Sequence, residues 1–171
     1  MGKALIGFIL GILVLPAIAA AIALTGHFPI KAKVKPPMWE RRIANRALDP
    51  AIEKAAEGLT NPIASPTDDD LLKGMKIYRE DCAGCHGDHG KPSSWGRNNL
   101  YPPAPQLADR GDHDPVPEIY VFVHDGVRYT GMGAWEGELP DSDIWRVSTF
   151  LSKLKSLPPA VDSVWTNPPA E

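Results

Sequence analysis

The sequence predicts a helical chain: one long apolar helix at the N-terminus, then a helical domain of about a hundred residues. Three observations carry this. Residues 4–24 run for twenty-one positions without a charge. Where the rest of the chain has a regular apolar pattern, its spacing is helical, as in Leu71, Leu72, Met75, Tyr78 and in Ile144, Val147, Leu151, Leu154. No strand-helix-strand alternation surrounds its two cysteines.

The formal charge of −3 divides unevenly. Residues 1–48 hold seven Lys/Arg against one acid, a balance of +6, and residues 49–171 hold eleven against twenty, a balance of −9. So acidic a domain does not bind nucleic acid through its phosphates, and it is steered toward a partner with a basic docking surface.

Taken in order, Ala4–Leu24 is long enough at the helical rise to cross the hydrocarbon core, which makes residues 1–24 an N-terminal transmembrane anchor. A cleaved secretory signal competes, with Lys3 as its basic start, Ala4–Leu15 as its core and Ala17, Ala19, Ala21 and Ala23 as small residues for cleavage. The apolar run continues past the early cleavage sites, which favours the anchor. Either reading exports the domain behind it. Residues 25–66 read as a basic membrane-proximal linker with short helices, broken by Pro29, Pro36 and Pro37. Within it Met38, Trp39, Ile43 and Ala47 lie at near-helical spacing among Arg41, Arg42 and Arg46. Such a helix suits an anionic lipid surface or, equally, packing on the domain that follows. Asp49-Pro50 is expected to start a separate short helix ending at Gly58, and Asn61-Pro62 and Ser65-Pro66 to close the linker.

The domain proper, 67–157, starts at Thr67 with Asp68, Asp69 and Asp70 in the first helical turn, where the helix dipole favours acids. That helix leads directly into Cys82-Ala83-Gly84-Cys85-His86. Two thiols three positions apart can each add across one vinyl group of the same porphyrin, and the next residue then presents an imidazole to the iron; C-x-x-C-H is the attachment signature of a c-type haem. The chain has 2 cysteines, so a zinc site would lack its second ligand pair. A proline-broken loop follows, through Tyr101-Pro102-Pro103-Ala104-Pro105-Gln106-Leu107. Asp114–His124 reads as a short helix with Pro115 or Pro117 in its first turn, closed by Gly126. Asp141, Ser142 and Asp143 start the last helix, with Trp145 beside its stripe, and Pro158-Pro159 stop it. Residues 158–171 remain as a proline-rich tail.

A second iron ligand is sought downstream. Met132, between Gly131 and Gly133, is the favoured candidate, whereas Met38 and Met75 sit on helix faces as core filler. His113 and His124 are the rivals, and His89 is too close to His86 to reach the other haem face. Arg128 and Trp135 could meet the haem propionates or simply be solvated and packed.

In this order of elements the chain resembles the small class I c-type cytochromes of bacteria, in particular single-haem, membrane-anchored ones, over about residues 67–157. The resemblance implies an all-α, class I cytochrome c fold in which the first and last helices cross, Gly74 and Tyr78 meeting Trp145 or its neighbours. It implies one covalently attached haem c, His86 and Met132 as axial ligands, and Pro105 as the residue whose carbonyl accepts from the distal nitrogen of His86. Ser93–Asn99 lengthens the segment before Pro105, so Pro103 is a rival for that role, and Gly133 stands where many members have proline. Lys31, Lys33, Lys35, Arg41 and Arg42 outnumber Lys3 and by charge alone would place the domain in the cytoplasm. The resemblance implies the opposite, a single-pass protein of the bacterial cytoplasmic membrane with its haem domain in the periplasm, where such haems are attached.

The expected function is therefore electron transfer between respiratory redox proteins, with no small-molecule substrate and no catalytic residue. One alternative is a cytochrome subunit fixed within a larger dehydrogenase or oxidase. Another is a gas-binding or catalytic haem protein whose Met132 dissociates.

Overall fold

The computed structural model describes residues 2–108 and 113–167, without the side chains of residues 3–6 and 9. The last four residues of the expected tail, 168–171, lie outside this description. The chain divides into two compact units, Met1–Lys31 and Ala32–Glu171. The first is one helix, α1 (Gly2–Leu24), which continues through Pro16. Among the described residues no helix is long and apolar enough to cross a membrane, the side chains of residues 3–6 and 9 of α1 being outside that description.

The second unit holds α2 (Met38–Ala56), α3 (Asp68–Ile77), a π turn at Tyr78–Cys82, α4 (Ala83–His86), α5 (Ser94–Asn98), α6 (Val116–Asp125), α7 (Asp141–Lys153) and α8 (Pro159–Thr166). Among the described residues it has no strand, and two isolated bridges, Asp88 with Lys91 and Glu136 with Leu139, are its only extended pairings.

Thr67 and Asp70 start α3 with a reciprocal cap: the Thr67 hydroxyl accepts from the Asp70 amide at 3.2 Å, and the Asp70 carboxylate accepts from the Thr67 amide at 3.1 Å. These Thr67 bonds, with Arg146 nearby, hold the Asp70 carboxyl below the usual carboxylate range. The cap is thus at full strength above that range and weakens as acid protonates Asp70. From there α3 crosses α7, and Leu71 and Met75 of α3 are buried in one core with Ile144, Val147, Phe150 and Leu151 of α7. The crossing is tight because position 74 has no side chain. A Cβ there would run into the Arg146 carbonyl oxygen and lie 2.9 Å from the Phe150 Cβ. Gly74→Ala should therefore lower stability by about 1–3 kcal/mol through overpacking, although alanine is the better helix former. A higher denaturation midpoint for the variant would show that the crossing can relax.

Two stretches differ from expectation. The helix expected to restart at Asp49-Pro50 does not: α2 runs through Pro50, and Leu48, Ile52 and Ala56 form one stripe packed on the core, with α6 as neighbour. Burial of Ile52 outweighs the bond that Pro50 cannot donate. The stretch 25–66 is accordingly not all linker. Its Met38, Trp39 and Ile43 are 68%, 65% and 63% exposed, so Met38 is not core filler, whereas Met75 is.

The expected tail is also partly a helix. Pro158 and Pro159, expected to stop α7, do not do so, since α7 already ends at Lys153; they occupy the cap and first turn of α8, where a missing N–H costs nothing. Val161 and Trp165 are buried, Trp165 set edge-on to Tyr78 and Phe150 at 5.9 and 5.3 Å between ring centroids. Tyr78 thus meets Phe150 and Trp165, while Trp145 stacks on Tyr120 of α6 at 4.0 Å.

Candidate haem site

The C-x-x-C-H segment is delivered by the end of α3 and then clamped. At Tyr78–Cys82 the helix widens to π geometry, with the Ala83 amide bonded to the Tyr78 carbonyl, a distortion frequent at functional sites. Cys82 and Cys85 are partly buried and form no disulfide. Burial, with the neighbouring Asp81 and Cys85 adding, pushes the Cys82 thiol up to about 12.

Three successive carbonyls of this segment, and that of Gly87 just after it, are satisfied from outside it. The Ser93 hydroxyl donates to Gly84 O at 2.6 Å, and Gln106 Nε2 to Cys85 O at 3.1 Å. The Leu107 amide donates to His86 O at 3.1 Å, and the Tyr78 hydroxyl to Gly87 O at 2.7 Å. Gln106 is itself held, its Oε1 accepting from the Ser93 amide at 2.7 Å. Two glycines permit the wrapping: Gly87 ends α4 at φ +82°, and at Gly96 a Cβ would lie 2.9 Å from the Cys85 Cα. Behind the segment, the Arg79 guanidinium donates to Trp165 O at 2.7 Å, pairs with Asp88 at 3.3 Å and covers the Trp165 ring at 4.9 Å.

His86 Nδ1 lies 2.8 Å from the carbonyl oxygen of Pro105. Donation to that carbonyl sets the ring's tautomer and orientation. The carbonyl at this place belongs to Pro105, not Pro103.

Met132 is partly buried against the core, in a loop tied to the end of α6. Its carbonyl accepts from the Val127 amide at 3.0 Å, its amide donates to the Thr130 hydroxyl at 3.0 Å, and the Trp135 amide donates to His124 O at 3.1 Å. A Cβ on the preceding Gly131 would lie 2.6 Å from Leu100 Cδ2. One stretch, Leu100–Pro105, therefore touches both candidate ligands' surroundings: Pro105 at His86, Leu100 beside Met132.

The rival histidines are engaged elsewhere. His113 is exposed with Nε2 2.9 Å from Lys155 Nζ, and His124 Nδ1 is 2.6 Å from the Asp125 carboxylate while its ring stacks on Tyr120. His89 sits edge-on to Trp165. Trp135 packs against the core and Arg128 is exposed. Among the described residues no three His, Cys, Asp or Glu side chains gather into a metal-holding group. Sequence reasoning missed Ser93, Gln106, Arg79 and Trp165; of these only Ser93, three residues before a glycine amide it caps, left a local signal.

Residues 69–151 match the family model described as "Cytochrome C oxidase, cbb3-type, subunit III". The chain is 30% identical over 148 residues to the cbb3-type cytochrome c oxidase subunit FixPc of Rhizobium leguminosarum bv. viciae, covering 80% of this chain and 45% of the relative. It is 34% identical over 90 residues to FixP of Bradyrhizobium diazoefficiens, covering 50% and 28%. It is 31% identical over 87 residues to a thiosulfate dehydrogenase of Stutzerimonas stutzeri, covering 48% and 27%. The chain thus spans less than half the length of these curated relatives. An all-helical domain and a clamped C-x-x-C-H are in keeping with these likenesses, and over residues 69–151 the chain is similar to c-type cytochrome domains.

Proposed function

We propose that this protein is a membrane-anchored cytochrome of the class I type that carries single electrons between respiratory redox proteins through one haem, covalently held by Cys82 and Cys85. The donor set fits that group: two thiols at i and i+3 outside any disulfide, an imidazole oriented by a carbonyl, and a partly buried thioether on a separate, tied-down loop. When bound, the haem supplies the ferric/ferrous couple. The protein's part is to hold His86 through Pro105, to hold the backbone of the attachment segment through Ser93, Gln106, Leu107 and Tyr78, and to offer the Met132 sulfur, a soft ligand that favours ferrous iron.

The His86–Pro105 bond carries this reading most directly, because a carbonyl that holds Nδ1 orients the imidazole as an axial ligand requires, while closure of the iron's other position rests on Met132. The holoprotein should contain one iron per chain and titrate as a single reversible one-electron couple. Two couples, or carbon monoxide binding to the reduced protein as isolated, would overturn it.

Anchoring rests on the charge-free run of residues 4–24 and on α1 continuing as one helix over 23 residues. Membranes washed with high salt and carbonate should keep the protein, with its N-terminal peptide still containing Lys3. A soluble chain starting just after Ala19, Ala21 or Ala23 would show a cleaved signal instead.

The relatives' names favour a second reading: two are oxidase subunits, so the domain would relay electrons within a stable complex. Mild-detergent purification separates the two, since a fixed subunit leaves the membrane with its partners in constant ratio.

A further inference from the structure

The N-terminal half of α2 leaves the domain with a face that its own fold does not cover. Trp39, Arg42, Ile43 and Arg46 recur at helical spacing along one side, and Met38, Trp39 and Ile43 are each more than three-fifths exposed. Beside them a shallow cleft of about 350 Å³ is lined by Met38, Arg41, Arg42, Asn45, Arg46 and Asp49. It brings three guanidinium groups against one carboxylate. The other nearby acid, Glu40, is turned to the Tyr101 hydroxyl, which donates to it at 2.7 Å. Lys31, Lys33 and Lys35 precede the helix, in a chain whose residues 49–171 are strongly acidic.

We propose that this face docks on anionic phospholipid, the Arg41, Arg42 and Arg46 guanidiniums taking headgroup phosphates and Met38, Trp39 and Ile43 entering the headgroup boundary. The pairing follows from chemistry. A guanidinium fork matches two phosphate oxygens, arginine stems can lie along apolar surface with the charge outward, and an indole is favoured at headgroup depth. A soluble acidic partner would satisfy the arginines but would need its own apolar pocket for Trp39; a lipid interface supplies both. The surface is too small and too mixed in character for tight binding alone. It becomes effective under the anchored reading, on which this inference partly rests, because residues 25–37 form a tether of at most roughly 50 Å contour length that keeps the face at high local lipid concentration. Docking would fix the height and tilt of the haem domain over the membrane.

The test uses the full-length holoprotein in nanodiscs of phosphatidylcholine alone or mixed with phosphatidylglycerol. Recovery in the disc fraction after carbonate reports the anchor, and amide exchange of the peptide covering residues 38–46 reports docking. Exchange is expected to slow about tenfold in the phosphatidylglycerol discs, and Arg42→Glu/Arg46→Glu should restore the phosphatidylcholine rate without changing disc recovery or the haem spectrum. Equal exchange in the two lipids overturns the inference, as does protection that arises only on adding an acidic protein. Should the chain fail to stay in discs, the anchored reading falls by itself, and the same exchange comparison with added vesicles of each lipid decides the docking face.

Discussion

Cys82→Ala and Cys85→Ala are each expected to lower holoprotein yield about tenfold or more, and the wild-type haem should stay with the polypeptide through acid-acetone extraction and denaturing electrophoresis. The reasoning is one of lost alternatives. Removing one thiol leaves the porphyrin tethered at a single edge, while the carbonyls of Gly84 to Gly87 stay clamped by Ser93, Gln106, Leu107 and Tyr78. The segment therefore has little freedom to shift and compensate. A domain of this size also depends on its prosthetic group to complete the core, so failure of attachment reduces the amount of folded chain as well as its colour. The double variant should be worse than either single one, because it removes the remaining tether as well. Full extraction of haem from the wild-type protein would remove the covalent reading. So would a Cys82→Ala protein that retained normal yield and spectrum.

The local chemistry of α3 and α7 was written plainly in their own residues. Thr67 with Asp70 three positions on, and Asp141 ahead of a stripe from Ile144 to Leu154, specify both start and buried face without reference to anything distant. C-x-x-C-H was equally legible, since covalent attachment dictates its spacing. What stayed hidden was decided by partners far along the chain. Pro50 reads as a helix start until Ile52 is seen to be buried in the core. Pro158-Pro159 reads as an end until Val161 and Trp165 are seen to cover Tyr78 and Phe150. The same holds at the site. The bonds from Ser93 to Gly84 and from Gln106 to Cys85 span 9 and 21 positions, across a loop whose composition says only that it turns. A polar side chain in such a loop carries no mark of the carbonyl it will meet.

Met132→Ala should abolish the weak far-red sulfur-to-iron absorption of the oxidised protein while the thioethers keep the haem in place. The loop makes this a clean substitution. Its path is set by backbone bonds, from Val127 to the Met132 carbonyl and from Trp135 to His124, and by the close approach of Gly131 to Leu100, none of which uses the methionine side chain. The position vacated should accept exogenous imidazole or cyanide readily. Met132→His should instead keep a six-coordinate low-spin iron at a lower potential, because imidazole stabilises ferric iron better than a thioether does. His113→Ala and His124→Ala should leave the far-red band unchanged, as those rings are engaged with Lys155 and with Asp125 and Tyr120. Conversion to high spin by either histidine variant, and not by Met132→Ala, would overturn the His86/Met132 assignment. A wild-type iron already five-coordinate in both oxidation states would go further, since an open position would move a gas-binding or catalytic role ahead of electron transfer.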